Sequence, residues 1–154
     1  MNLDSLNRWL TLIANVGVLA GIFTVALELS QTQTAMQAEA SSTRSQMDMN
    51  NRRLSYDLGI RDIAQKLSTG QELTAEEIRR VNLREATMLR YFENLHYQME
   101  IGVLDEQIWD ANLQAISSYC NSPLFNAAFP NWENGASRAF RMDFVNLINS
   151  YCTD

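Results

Sequence analysis

The chain is poor in the residues that most chemistry needs. Its 154 residues include one histidine, two cysteines, two prolines and six glycines. No Gly-rich phosphate loop, no Ser-His-Asp set and no Cys-His pair in a useful context occurs. The two cysteines, Cys120 and Cys152, match no zinc spacing. So little proline and glycine removes the punctuation of a many-stranded β fold, which leaves an all-α reading. Positive charge is also short: 11 basic residues face 16 acidic ones from Ser30 onward, a net of −5. An acidic module has no electrostatic footprint for nucleic acid, and it is a poor candidate for lying on an anionic lipid surface. No cofactor or metal is expected, and no catalytic residues are assigned.

Charge is wholly missing from one place. Leu10 to Leu27, LTLIANVGVLAGIFTVAL, is apolar between Arg8 and Glu28. As a helix it spans about 27 Å at 1.5 Å per residue, close to a bilayer's hydrocarbon thickness. A single transmembrane anchor over residues 1–29 is expected, with Trp9 and Arg8 suited to the headgroup boundary. A cleaved signal would have a core of roughly 7–15 residues with a small-residue site directly after it. The nearest such pattern, Ala38-Glu39-Ala40, lies beyond the polar SQTQT. A buried helix of a soluble fold is the third reading. Ala14, Gly17, Gly21 and Thr24 share one helical face, and Gly17-x-x-x-Gly21 lets a second helix approach closely, with Asn15 or Thr24 as a hydrogen-bonding group. The expected contacts are therefore lipid plus another copy of the chain or a different membrane protein.

Residues 30–53 are polar with no glycine or proline, which predicts a helical stalk continuing the anchor; a flexible linker is the other reading. A small helical bundle is expected over residues 54–154. Leu54, Leu58, Ile60, Ile63, Ala64 and Leu67 predict one amphipathic helix ending near Ser68 to Gly70. Thr74 with Glu77 forms a capping box, with Leu73 and Ile78 as staple. The next helix carries Ile78, Val81, Met88, Leu89, Phe92, Leu95 and Met99 inward and ends at Gly102. Asp105 caps a helix reaching Cys120, with Trp109, Leu113 and Ile116 inward. Ser122-Pro123 starts a short helix, interrupted near Pro130 and ended by Asn134-Gly135. The last helix is expected over about Arg138 to Tyr151, burying Phe140, Phe144, Leu147 and Ile148. Of 14 aromatic residues, 11 lie from Tyr91 onward, so Phe92, Leu95, Trp109, Phe140 and Phe144 are the expected module core.

Three polar groups invite a chemical reading. Glu93-x-x-His96 has di-iron spacing, but one histidine per chain completes such a site only in a symmetric dimer. Asp105, Glu106 and Asp110 form a carboxylate cluster whose plainer role is to favour a helix N-terminus. Glu85 lies on the inward stripe and needs a cation, for which Arg53 and Arg61 are candidates. Cys120 and Cys152 pair if the module is extracytoplasmic and are half-buried thiols if it is cytosolic. Arg8 favours a cytoplasmic N-terminus, while the first basic residue on the other side is Arg44, at the edge of the usual counting window; the charges nearly tie.

The apolar segment followed by Glu28-Leu-Ser-Gln-Thr-Gln-Thr34, then RYFENLHYQMEIGVLDEQIW (Arg90 to Trp109), SPLFNAAFPNW and AFRMDFVNLI, resembles a group of small uncharacterised bacterial membrane-anchored helical proteins. Their shared pattern is an anchor, an "RQNT"-like junction, a "FENLYYQ…GLD…W" segment and an aromatic C-terminal region. The resemblance covers most of the chain and implies a single-pass protein of the bacterial inner membrane with no assigned activity. Members carry an aromatic residue where His96 stands. Their basic junction implies a cytoplasmic module, but here Leu29-Ser30 stands where an arginine is usual. Three functions compete: a non-enzymatic protein that assembles through its membrane helix and presents a helical module, a membrane-tethered sensor that binds a small apolar ligand, or, least favoured by a single histidine, a metal-dependent enzyme.

Overall fold

Short local signals set the helix ends. In the computed structural model, which describes residues 3–130, 132 and 136–152, the elements are α1 (Leu3–Asp57), α2 (Ile60–Ser68), α3 (Ala75–Glu100), α4 (Glu106–Cys120), α5 (Pro123–Ala128), a 3-10 turn (Ala136–Ala139) and α6 (Met142–Cys152). All regular structure among the described residues is helical. Thr74 Oγ1 accepts from Glu77 N at 3.2 Å, and Glu77 Oε2 returns by accepting from Thr74 N at 2.8 Å, so the capping box is closed in both directions. Asp105 Oδ1 takes Gln107 N at 2.9 Å, and Ser122 Oγ takes Phe125 N at 3.1 Å ahead of Pro123. Gly102 ends α3 at φ 70°, the left-handed value a C′ glycine adopts without a Cβ penalty.

Two helix readings are corrected. The amphipathic stretch from Leu54 to Leu67 is not one helix: α1 ends at Asp57, and α2 begins after Gly59. A Cβ at Gly59 would meet nothing within 4 Å, so its φ of 64°, not lack of room, calls for glycine there. The apolar spacing runs through this break and conceals it. The last helix is also shorter than its periodicity, for Arg138 to Ala139 lie in the 3-10 turn and α6 starts at Met142. Here α3 intervenes. Glu93 Oε1 accepts from Arg141 N at 2.8 Å, and Arg90 Nη2 donates to Ala139 O at 2.8 Å, which takes both groups out of a helical ladder. The expected stop at Asn134-Gly135 lies outside the described residues.

The chain forms two compact units, Met1–Glu39 and Ala40–Asp154. In the first, α1 is uninterrupted and no described side chain is buried. Thr11, Thr24, Thr32 and Thr34 donate their hydroxyls to the carbonyls four residues back, at 2.8–3.0 Å, so these hydroxyl protons are satisfied inside the helix.

In the second unit α1 continues to Asp57 and presents a half-buried stripe of Ala40, Arg44, Met47 and Leu54, with Asn51 buried, at alternating spacings of four and three; Ser55 beside Leu54 is half-buried too. The main core joins Leu89, Phe92 and Leu95 of α3, Trp109, Ile116 and Cys120 of α4, Phe125 of α5, Trp132, and Phe144, Val145 and Ile148 of α6. Phe140 is half-buried against it. A smaller cluster joins Ile60 and Ile63 of α2 to Val81 of α3 and Ala128 of α5. Ring contacts fix the α3–α4 pairing. Phe92 meets Tyr119 at 5.5 Å while His96 meets Trp109 at 5.5 Å, so advancing along α3 retreats along α4 and the two helices are antiparallel. The rings continue through Phe125, Trp132, Phe140 and Phe144 at 5.3–6.0 Å.

Candidate functional site

The first candidate surface is the apolar half of α1. Trp9, Ile13, Val18, Leu19, Ile22 and Phe23 are each more than 60% exposed, as one window of this helix is long and apolar enough to cross a membrane. Ala14, Gly17, Gly21 and Thr24 are exposed with them, and a Cβ at Gly17 or Gly21 would meet nothing within 4 Å. Thr24 spends its hydroxyl proton on Ala20 O at 3.0 Å, so toward another helix it offers an acceptor.

The second is an open groove of about 540 Å³ beside α3, lined by Met47, Arg90, Glu93, Asn94, Tyr97 and Arg141. Its charges are mutually engaged. Arg90 Nη1 reaches Glu93 Oε2 at 2.5 Å, and its guanidinium lies 4.5 Å from the Phe140 ring centre. Arg141 lies 5.1 Å from the Tyr97 ring centre and bridges Glu100 Oε2 at 2.8 Å and Asp143 Oδ2 at 2.5 Å. Desolvation opposes the Arg141 charge, but the two carboxylates outweigh it and raise its pKa. Desolvation likewise opposes ionisation of Asp143; the Phe144 N–H, Glu100 and Arg141 overcome it and hold the carboxyl below its ordinary range.

Glu93 and His96, the pair with di-iron spacing, do not come together as ligands. Both Glu93 oxygens are taken, by Arg90 and by the Arg141 amide. Glu100 and Asp143 approach His96 instead, with ligand atoms within 4.8 Å of one another. The Arg141 guanidinium stands between these two carboxylates and supplies the positive charge that a cation would bring. His96 Nδ1 is buried without a protein partner, its ring held between Trp109 at 5.5 Å and Phe144 at 6.1 Å. The Asp105, Glu106 and Asp110 group is exposed, and Asp105 serves as a helix cap.

Glu85 is fully buried, and its cation is Arg84, not Arg53 or Arg61: Arg84 Nη1 lies 2.6 Å from Glu85 Oε1. Arg53 pairs with Asp57. Arg84 also donates to Ser55 Oγ of α1 at 3.3 Å, while Glu85 Oε2 has no protein partner. The Tyr119 hydroxyl donates to the Glu85 carbonyl at 3.1 Å, and burial, then the Glu85 charge, push its pKa up. The adjacent residue in sequence supplies the charge, where the expected candidates, Arg53 and Arg61, lay on earlier segments of the chain.

Cys120 at the end of α4 and Cys152 at the end of α6 form a disulfide, with Cα atoms 5.0 Å apart. Closing a loop of this separation contributes about 3–4 kcal/mol in the chain-entropy treatment. No family model, curated protein or solved structure matches the chain.

Proposed function

We propose that the chain is a non-enzymatic, single-pass membrane protein of the bacterial inner membrane. It assembles with itself or with another membrane protein through Ala14, Gly17, Gly21 and Thr24, and it presents the helical module to a further partner. One observation carries the anchoring: the uncharged run from Leu10 to Leu27 is exposed along its whole length, and the module builds its two hydrophobic clusters from residues between Leu58 and Cys152. A soluble protein would leave an apolar surface of this size in water. That favours an anchor over a core helix. The interlocked aromatic rings of the module favour a presented surface over an apolar-ligand pocket.

Carbonate extraction tests the anchor; the full-length chain is expected to stay with the membrane pellet. Gly17→Ile and Gly21→Ile tests the assembly face, because each adds bulk where a second helix would touch. Both variants are expected to insert normally and to lose association in mild detergent. Unchanged oligomer mass for both would remove this face from the proposal.

A further inference from the structure

The two cysteines sit far apart in the sequence and meet at one end of the bundle. Cys120 is 4% exposed and belongs to the main core, and Cys152 is half-buried against it. Their Cα separation of 5.0 Å lies within the range a disulfide spans without backbone movement. The bond uses both cysteines of the chain and joins the C-terminal ends of α4 and α6. Disulfides of this structural kind persist in oxidising compartments and are reduced in the cytosol.

A second observation points the same way. Arg8 lies two residues before the uncharged run, whereas the residues after it offer Glu28 and Glu39 before the first cation at Arg44. Short flanks with more Lys and Arg stay on the cytoplasmic side, and acidic residues count little. The charge difference is small by itself, but it agrees with the disulfide.

We infer that the helical module lies in the oxidising compartment outside the cytoplasmic membrane, with Arg8 on the cytoplasmic side and the Cys120–Cys152 bond as its permanent clip. This placement is the opposite of the cytoplasmic one that the resemblance implied. The sidedness rests on the proposed anchor. The bond forms by thiol–disulfide exchange with a disulfide-bonded oxidant of that compartment. The Cys120 and Cys152 thiols give up two protons and two electrons as their S–S bond forms. The oxidant's own S–S bond breaks and becomes two thiols. The partner of the module is accordingly one reached from outside the cytoplasm.

The test expresses the full-length chain in a bacterium, quenches the cells in acid to freeze thiol exchange, and adds a polyethylene-glycol maleimide under denaturing conditions. The expected product carries no added polymer without reductant and two additions after reduction, with the Cys120→Ser/Cys152→Ser variant showing none in either case. In parallel, protease added to intact spheroplasts, at a dose high enough to digest the folded module in lysed ones, is expected to digest the module. Two additions without reductant, or a module protected until the membrane is lysed, overturns the inference. Carbonate extraction of the same cells separates the two proposals: an oxidised pair in a protein released from the membrane refutes the anchor and leaves the oxidising location standing.

Discussion

The pair Arg84–Glu85 offers a demanding test of how the module tolerates a buried charge. Glu85 is fully buried and one of its oxygens has no protein partner, while the Arg84 side chain retains 20% exposure. Arg84→Met keeps most of the volume and strands the carboxylate. Breaking a buried pair in this way typically costs about 3–5 kcal/mol, because the remaining charge is uncompensated. Glu85→Met removes the costly group, and the partly exposed guanidinium still has Ser55 Oγ and can extend toward water. It should change stability by about 1 kcal/mol or less. The double variant should recover about 2 kcal/mol or more relative to Arg84→Met, a coupling expected for contacting groups. The Tyr119 bond goes to the Glu85 backbone carbonyl and survives all three changes, so the cycle reports the side chains alone. Urea unfolding of the detergent-solubilised protein is the assay. At a slope of about 2 kcal/mol per M, Arg84→Met should lower the midpoint by about 1.5–2.5 M. If Glu85→Met loses as much as Arg84→Met and the two effects add, Glu85 is stabilising in its own right and the reasoning fails.

Trp109 is 7% exposed and joins α4 to α3 through the His96 ring, so Trp109→Ala should cost about 3–5 kcal/mol and open the module to limited proteolysis, whereas His96→Phe should leave it resistant. Thr74→Ala should lower stability by about 1 kcal/mol in the same urea assay, through loss of the α3 cap. The Glu77 carboxyl is held down to about 2 from its ordinary 4.5, first by Lys66 and then by the Thr74 amide and hydroxyl. Its folded pKa is depressed, so its contribution is fully present above 4.5 and is lost as pH falls toward about 2. Midpoints measured across that window should fall more steeply for the parent than for Glu77→Gln, and parallel curves would show that the carboxylate contributes nothing.

Where a signal is complete within four or five residues, the sequence alone determined the outcome. The Thr74–Glu77 box, the Asp105 and Ser122–Pro123 starts and the Gly102 stop each satisfy backbone groups of a single helix end, so nothing remote can alter them. The uncharged length of Leu10–Leu27 and the absence of helix breakers before Asp57 are local in the same sense. Gly59 was local too, but an apolar stripe that keeps helical spacing across a turn masks the turn. Tertiary structure decided the rest. Arg90 and Glu93 hold Ala139 and Arg141, 49 and 48 residues away, and so divide a stretch whose own periodicity reads as one helix. His96 meets Asp143 beside Glu100 of its own helix because the start of α6, with Arg141 just before it, lies against α3. The meeting of Cys120 with Cys152 depends on two helix ends converging across 32 residues of chain. Such contacts follow from how the apolar faces stack, and the spacing of residues along one helix carries no record of which other helix that face will meet.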